Sequence, residues 1–291
     1  MKKLVISTFL MVLTACGLYA QDVKFGIKGG LSLPSTLVVK STPFTEGYDM
    51  RLASGMGIFT ELTVSPRQSI RFGVEYSGLG GKKSGMQALP SHRLITEIGS
   101  SAGLGMSGEQ QMALGALYMA SEQLPYYYSN IENTTKLVYV TIPVVSQFGW
   151  DIGEKPLRFY VNVGPYVSFL LTGKQVASGT DKMYADASGT ATLWEALPPQ
   201  AQLMLQSGFP NVENMLNDPV NYGTTNIASE MKSTNFGLKA DLGLRYQRNN
   251  NFFFLEIGTN YDLFTTQDNA DNGTFRYNAL TFMVGYSFKL F

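Results

Sequence analysis

Gly99-Ser100-Ser101-Ala102-Gly103 has the G-x-S-x-G spacing of a hydrolase nucleophile, and His92, the one histidine of the 291-residue chain, is the base such a serine would need. No strand pattern precedes the pentapeptide to make the sharp elbow that exposes the hydroxyl, and His92 stands before the serine where that arrangement puts it after. A hydrolase built from His92, Ser101 and a loop carboxylate is therefore a remote alternative, and no residue is assigned as catalytic. Gly103-Leu104-Gly105-Met106-Ser107-Gly108 matches G-x-G-x-x-G, yet no strand leads into it as a dinucleotide-binding unit requires. Lys82-Lys83-Ser84, between Gly78 and Gly85, lacks the spacing of a phosphate loop and reads as a basic rim able to meet lipopolysaccharide phosphates. With a single histidine a transition-metal site is not expected. Asp268, Asp271 and Asn272 offer at most a weak calcium site, at a spacing unlike that of a helix-loop-helix site, so no metal or cofactor is assigned.

The informative charges are those embedded in apolar runs. Lys24, Lys28, Glu61, Arg71, Glu75, Arg158, Lys239, Asp241, Arg245, Glu256 and Asp262 all fall on the polar face of alternating segments. In 23–33 the odd positions are Val23, Phe25, Ile27, Leu31 and Leu33, while Lys24, Gly26, Lys28, Gly30 and Ser32 fill the even ones. Period-two alternation is a strand with two unlike faces. The pattern recurs at 54–64, 70–76, 137–148, 157–171, 236–246, 253–263 and 280–290, which makes eight segments. Most are about as long as a tilted membrane-crossing strand, roughly 9–11 residues or a little more.

The connectors sort by length. Those at 65–69, 149–156 and 248–251 are short, whereas those at 34–53, 79–135, 172–235 and 264–278 are long. This sorting predicts an all-β, eight-stranded, antiparallel up-and-down transmembrane β-barrel, with the short turns and both termini on the periplasmic side and long, partly helical loops outside. An eight-stranded barrel is only wide enough to be filled by side chains, so its inward charges must pair. Two readings stand for them: a structural salt-bridge network of Lys28, Glu61, Arg71, Glu75, Arg158, Lys239, Asp241, Arg245 and Glu256, or a narrow or gated ion path. The similar numbers of both signs favour the network.

The chain opens Met1-Lys2-Lys3, continues apolar to Ala15 and reaches a small-residue exit at Ala20-Gln21, the form of a secretory signal peptide over 1–20. Cleavage there leaves a barrel domain of 21–291 with a formal charge of −2, which points to no nucleic-acid partner. Cys16, the only cysteine, follows Leu13-Thr14-Ala15 as in a lipoprotein-processing site, so cleavage after Ala20 and lipidation at Cys16 are both open; a spanning barrel needs no lipid anchor, which favours the cleavage. No later stretch is long and apolar enough for a transmembrane helix.

The insertions 79–135 and 172–235 have helical signals of their own. Ser107-Gly108-Glu109-Gln110 and Thr192-Leu193-Trp194-Glu195 are capping-box starts, Pro198-Pro199 interrupts the second, and 200–206 can resume it. Such apolar helices need burial against something. Either the loops pack together as a cap over the barrel mouth, or Tyr126, Tyr127, Tyr128, Trp194 and the methionines form a docking surface for another outer-membrane or surface protein.

Phe25-Gly26-Ile27-Lys28-Gly29-Gly30-Leu31-Ser32, Val74-Glu75-Tyr76-Ser77, Tyr139-Val140-Thr141-Ile142-Pro143, Tyr160-Val161-Asn162-Val163-Gly164-Pro165-Tyr166-Val167 and the closing Val284-Gly285-Tyr286-Ser287-Phe288 resemble the PorT-like outer-membrane β-barrel proteins, similar in architecture to the OmpA transmembrane domain. The resemblance spans all eight segments and neither long loop. It implies a Gram-negative outer-membrane location among membrane lipid and lipopolysaccharide, and it implies a barrel more than an activity. Thr141 stands where relatives often carry an acid, and the terminal aromatics Phe288 and Phe291 resemble the signal read by the barrel-assembly machinery. The expected function is a non-enzymatic envelope module or surface interaction platform, with a narrow porin for small solutes or ions as the alternative.

Overall fold

The computed structural model describes residues 22–42, 45, 47–101, 105–154, 156–179, 182–217, 223–268 and 273–290; the expected leader, Cys16 and Phe291 lie outside the described residues. The strands are β1 (Asp22–Lys40), β2 (Ala53–Ser65), β3 (Gln68–Pro90), β4 (Tyr126–Asp151), β5 (Leu157–Gly179), a short β6 (Thr224–Asn226), β7 (Thr234–Arg248), β8 (Asn251–Asp262) and β9 (Thr274–Lys289). All pair antiparallel; β4 pairs with β5, β5 with β7, and β9 returns to β1, so the eight long strands close a ring with no free edge. β6 adds only a flank to the upper part of β5.

Tight turns close one end. Pro66-Arg67 joins β2 to β3, and Asn249-Asn250 joins β7 to β8 with Asn249 at φ 56°, a left-handed conformation that asparagine tolerates better than most residues. The outward face follows from alternation. On β7, Phe236, Leu238, Ala240, Leu242, Leu244 and Tyr246 are all exposed, while the residues between them are buried. Ten residues of strand rise roughly 34 Å, or about 26 Å across a bilayer at the usual tilt, the height of the apolar band of a spanning barrel. Aromatic pairs mark its edges: Trp150 stacks on Phe159 and Phe253 meets Tyr286 near the tight turns, and Phe236 meets Phe264 at the other end. No described helix is long and apolar enough to cross a membrane. The crossing is made by strands.

The strands outrun their sequence pattern. β3 continues to Pro90 and β4 begins at Tyr126, paired in register from Gly78↔Val138 to Pro90↔Tyr126, so much of the expected loop 79–135 is a two-stranded extension of the barrel. β5 runs on to Gly179 and β1 to Lys40 in the same way. Gly80-Gly81-Lys82-Lys83-Ser84 gives no alternation because, above the apolar band, neither face meets lipid; ladder pairing holds the strand there.

Helices crown that end: α1 (Ser91–Ser101), α2 (Gly108–Gln123), α3 (Leu193–Ala196), α4 (Pro199–Gly208) and α5 (Val212–Asn217), with a 3-10 turn at Ala228–Glu230. Both expected capping boxes form. The Gln110 backbone N–H donates to Ser107 Oγ at 3.2 Å and the Ser107 N–H to Gln110 Oε1 at 3.0 Å; the Thr192 and Glu195 pair matches at 3.3 and 2.9 Å. Ile98, Leu117, Tyr127, Trp194, Leu205 and Leu216 share one buried core, which binds the two insertions into a single cap.

Candidate functional site

Inward-pointing residues at matched heights build the lumen. Register sets Lys24 opposite Glu61 and Glu61 opposite Arg71, so three charges from three adjacent strands meet on one level. Glu61, fully buried, accepts from Lys24 Nζ at 3.0 Å, from Arg71 Nη2 at 3.2 Å and from both terminal nitrogens of Arg245, at 2.9 and 2.5 Å. The guanidinium of Arg71 also donates to Glu256 and lies over the Phe59 ring, 4.3 Å from its centroid. One level up, Lys28 reaches Glu75 at 2.8 Å and Glu256 at 3.4 Å, and Lys239 reaches Glu75 at 3.3 Å and Asp241 at 3.4 Å. Each carboxylate here faces more than one donor, as a buried ion pair requires.

Neutral side chains complete the set. Tyr160 OH donates to Glu256 at 2.9 Å, Asn162 Nδ2 lies 3.3 Å from Asp241 and 3.2 Å from Glu256, and Gln147 links Asn162 at 2.9 Å to Arg245 at 3.2 Å. Tyr160 fits because Gly243 faces it across the β5–β7 pair: a Cβ there would lie 2.2 Å from the ring. Above the charges, Tyr166 OH donates to Asp262 at 2.5 Å, and Leu137, Tyr139 and Tyr277 form a collar. Among the described residues ten charges are buried, five cations, Lys24, Lys28, Arg71, Lys239 and Arg245, and five anions, Glu61, Glu75, Asp241, Glu256 and Asp262.

These groups fill the middle of the barrel. A vestibule of about 550 Å³ at the tight-turn end reaches Lys24, Gln147, Arg245 and Phe252, and a chamber of about 810 Å³ lies under the cap. Along β4 the buried Leu137, Tyr139, Thr141, Pro143 and Val145 separate Thr135 in the chamber from Gln147 in the vestibule. Thr141 itself lies 3.3 Å from Ser77 Oγ and carries no charge into the lumen.

Of the nine charges expected in the network, eight meet there and Arg158 does not. Arg158 sits at the tight-turn mouth, donating to the carbonyls of Pro66 at 2.5 Å and Gly149 at 3.3 Å and lying 3.5 Å from the exposed Asp151. It is inward by alternation and stands opposite Arg245 in the β5–β7 register, but its guanidinium turns to the Pro66 and Gly149 carbonyls instead of into the network, so it clips two turns together. Lys24 and Asp262 join the buried set, as their inward positions indicate; Gln147, Tyr160 and Asn162 carry the same inward signal, but their bridging depends on distances between non-adjacent strands.

The four expected interaction residues are cap structure. Tyr127 and Trp194 are buried in the cap core and cannot present themselves to a partner, and Tyr126 and Tyr128 are half-buried. Lys82 of the expected basic rim is paired with Glu132 at 2.8 Å, and Lys83 lies against the Tyr48 ring. His92 and Ser101 stand at opposite ends of α1, about 13 Å apart by helical rise, so no strand-to-helix elbow presents the serine to the histidine. Asp271 and Asn272 lie outside the described residues, and Asp268 donates its N–H to the Glu230 carbonyl. In the cap the Glu195 carboxyl is held below the usual range by the Thr192 backbone and side chain, and Asp186 by Ser188 and the Ala191 N–H.

Residues 19–268 match the family model described as outer membrane protein beta-barrel domain. Among solved structures, the chain is similar to Neisserial surface protein A at 10% identity, covering 93% of this chain and 99% of that one with a TM-score of 0.38. It is similar to Ail, the attachment invasion locus protein of Yersinia pestis (10% identity, 93% and 100% covered, TM-score 0.35), and to OprG from Pseudomonas aeruginosa (9%, 93% and 97%, 0.34). No curated protein sequence matches significantly.

Proposed function

The chain belongs to the outer membrane β-barrel family, whose members reside in the outer membrane, and on that premise we propose that it is a non-enzymatic envelope module that presents its cap as an interaction platform. In this reading a leader at 1–20 directs export, the tight turns face the periplasm, and the cap faces the exterior in contact with lipopolysaccharide and a surface protein. The observation that carries it is the lumen: ten buried charges of balanced sign among the described residues, two of them at the vestibule and the rest beyond it, fill the barrel below the chamber and leave the cap as the elaborated part. With Tyr127 and Trp194 inside, the exposed apolar groups that the described cap helices offer a protein include Met112, Tyr118 and Met119 on α2 and Leu203 and Met204 on α4. The test is a pull-down from native membranes against a variant in which a short turn replaces 91–125, with both strand extensions kept. Recovery of one stoichiometric protein by the full chain alone supports the platform; identical recoveries count against it.

A second reading rests on the two cavities. They lie on either side of the plug, so a path would open if the charge network rearranged. Solute uptake into liposomes separates this gated porin from the platform.

A further inference from the structure

The chamber under the cap has the size of a small-ligand site, about 810 Å³. Amides and hydroxyls line its walls: Gln87 and Asn133 from the paired extensions of β3 and β4, Thr135 one step lower, Gln175 from β5 and Gln267 before β9. One wall is aromatic, where the Tyr48 and Phe275 rings lie 6.4 Å apart and tilted by 41°. Burial pushes the Tyr48 phenol up, so it remains a neutral hydroxyl at physiological pH.

Hydrogen bonding in the chamber is uneven. Gln87 Nε2 is satisfied by the carbonyls of Lys83 at 3.0 Å and Ile131 at 2.8 Å. Asn133 is only 7% exposed, and its Oδ1 has no partner. A buried acceptor without a donor is uncommon in folded proteins, and this one lines a cavity that can supply one. The charged lining groups Lys83, Glu230 and Asp268 carry both signs, so no cationic cluster gathers for a phosphate or sulfate. Ile227 and Met231 extend the Phe275 wall, so the lining is apolar on one side and carries amides and hydroxyls on the other. Thr96, Thr225 and Glu230 are exposed at the rim, which gives the chamber access from outside.

We propose that this chamber binds a short, neutral oligosaccharide, with Asn133 Oδ1 accepting from a sugar hydroxyl and the Tyr48 and Phe275 rings packing on the apolar face of a sugar ring. Neutral hydroxyls suit a lining of amides and hydroxyls, which both donate and accept. The site is independent of whether the cap captures a protein, because binding is read on purified material.

The test uses the full-length folded protein in detergent with maltotriose, cellotriose and triacetylchitotriose as probes, by saturation-transfer NMR and calorimetry. At least one is expected to bind saturably. Asn133→Leu should weaken that binding about five- to tenfold, the loss of one hydrogen bond. Phe275→Ala should weaken it too, while heat-modifiable gel migration persists; if Phe275→Ala fails to fold, Gln175→Ala takes its place. Absence of saturable binding by all three probes at roughly 1 mM, the weak end of specific recognition, overturns the proposal. So does binding that both variants leave unchanged, or binding confined to a sulfated heparin disaccharide.

Discussion

Replacing Glu61 with glutamine removes one negative charge from a point where three cations converge. Glu61 is fully buried and takes donors from Lys24, Arg71 and Arg245 at 2.5–3.2 Å. Removing one partner of a buried ion pair costs about 3–5 kcal/mol, because the remaining charge is left buried without its partner. Glutamine keeps the shape and one acceptor oxygen, and a hydrogen bond to a charged donor retains about 1.5–3 kcal/mol. The net loss expected for Glu61→Gln is therefore about 2 kcal/mol. Arg245→Met should be costly as well, since it leaves Glu61 short of its bidentate partner. Both together should cost less than the sum, with a coupling of about 2 kcal/mol, inside the range for residues in one network. Reversible urea unfolding in lipid vesicles, followed by gel mobility, measures all three. Single losses under about 1 kcal/mol, or a double variant additive within about 0.5 kcal/mol, would refute a cooperative plug.

Leu205→Ala in the cap core should cost about 2–5 kcal/mol locally, seen as faster proteolysis of the cap while the barrel keeps its heat-modifiable migration. Leu255, outward in the middle of β8, should cost about 2–4 kcal/mol as Leu255→Arg, whereas Val39→Arg, on the β1 extension beyond the apolar band, should stay within about 0.5 kcal/mol; vesicle unfolding compares them. Glu195 and Asp186 titrate lower folded than unfolded, so the stability they give is complete above the ordinary carboxylate range and is lost as pH falls through their lower folded values. Fluorescence of Trp194 in a Trp150→Phe background should accordingly report cap loosening only in strongly acidic buffer, and Glu195→Gln should remove part of that dependence.

Alternation of Phe236 to Tyr246 with Lys239, Asp241 and Arg245 exposes the barrel in the sequence because lipid on one side and a packed lumen on the other impose period two. That constraint ends at the edge of the band. The glycine- and lysine-rich 80–84 gave no strand signal, and its place in β3 follows from pairing with residues of β4 some fifty positions later. Which inward charges meet is likewise set by how eight strands close: Lys28 and Glu256 belong to β1 and β8 and share no ladder, yet lie 3.4 Å apart. Arg158 has the same alternation as its neighbours and faces Arg245 across the β5–β7 pair, yet the carbonyls of Pro66 and Gly149 hold its guanidinium at the mouth. In the cap, the capping boxes at Ser107 and Thr192 were legible because they are local, whereas the burial of Tyr127 and Trp194 depends on two insertions meeting.

Single-channel recording in planar bilayers tests the plugged lumen most directly. Purified, refolded protein should insert without stable conductance, because the Glu61 and Glu256 clusters and the Tyr139 and Tyr277 collar occupy the path between vestibule and chamber. Discrete, long-lived channels of reproducible size from the same preparation would contradict it.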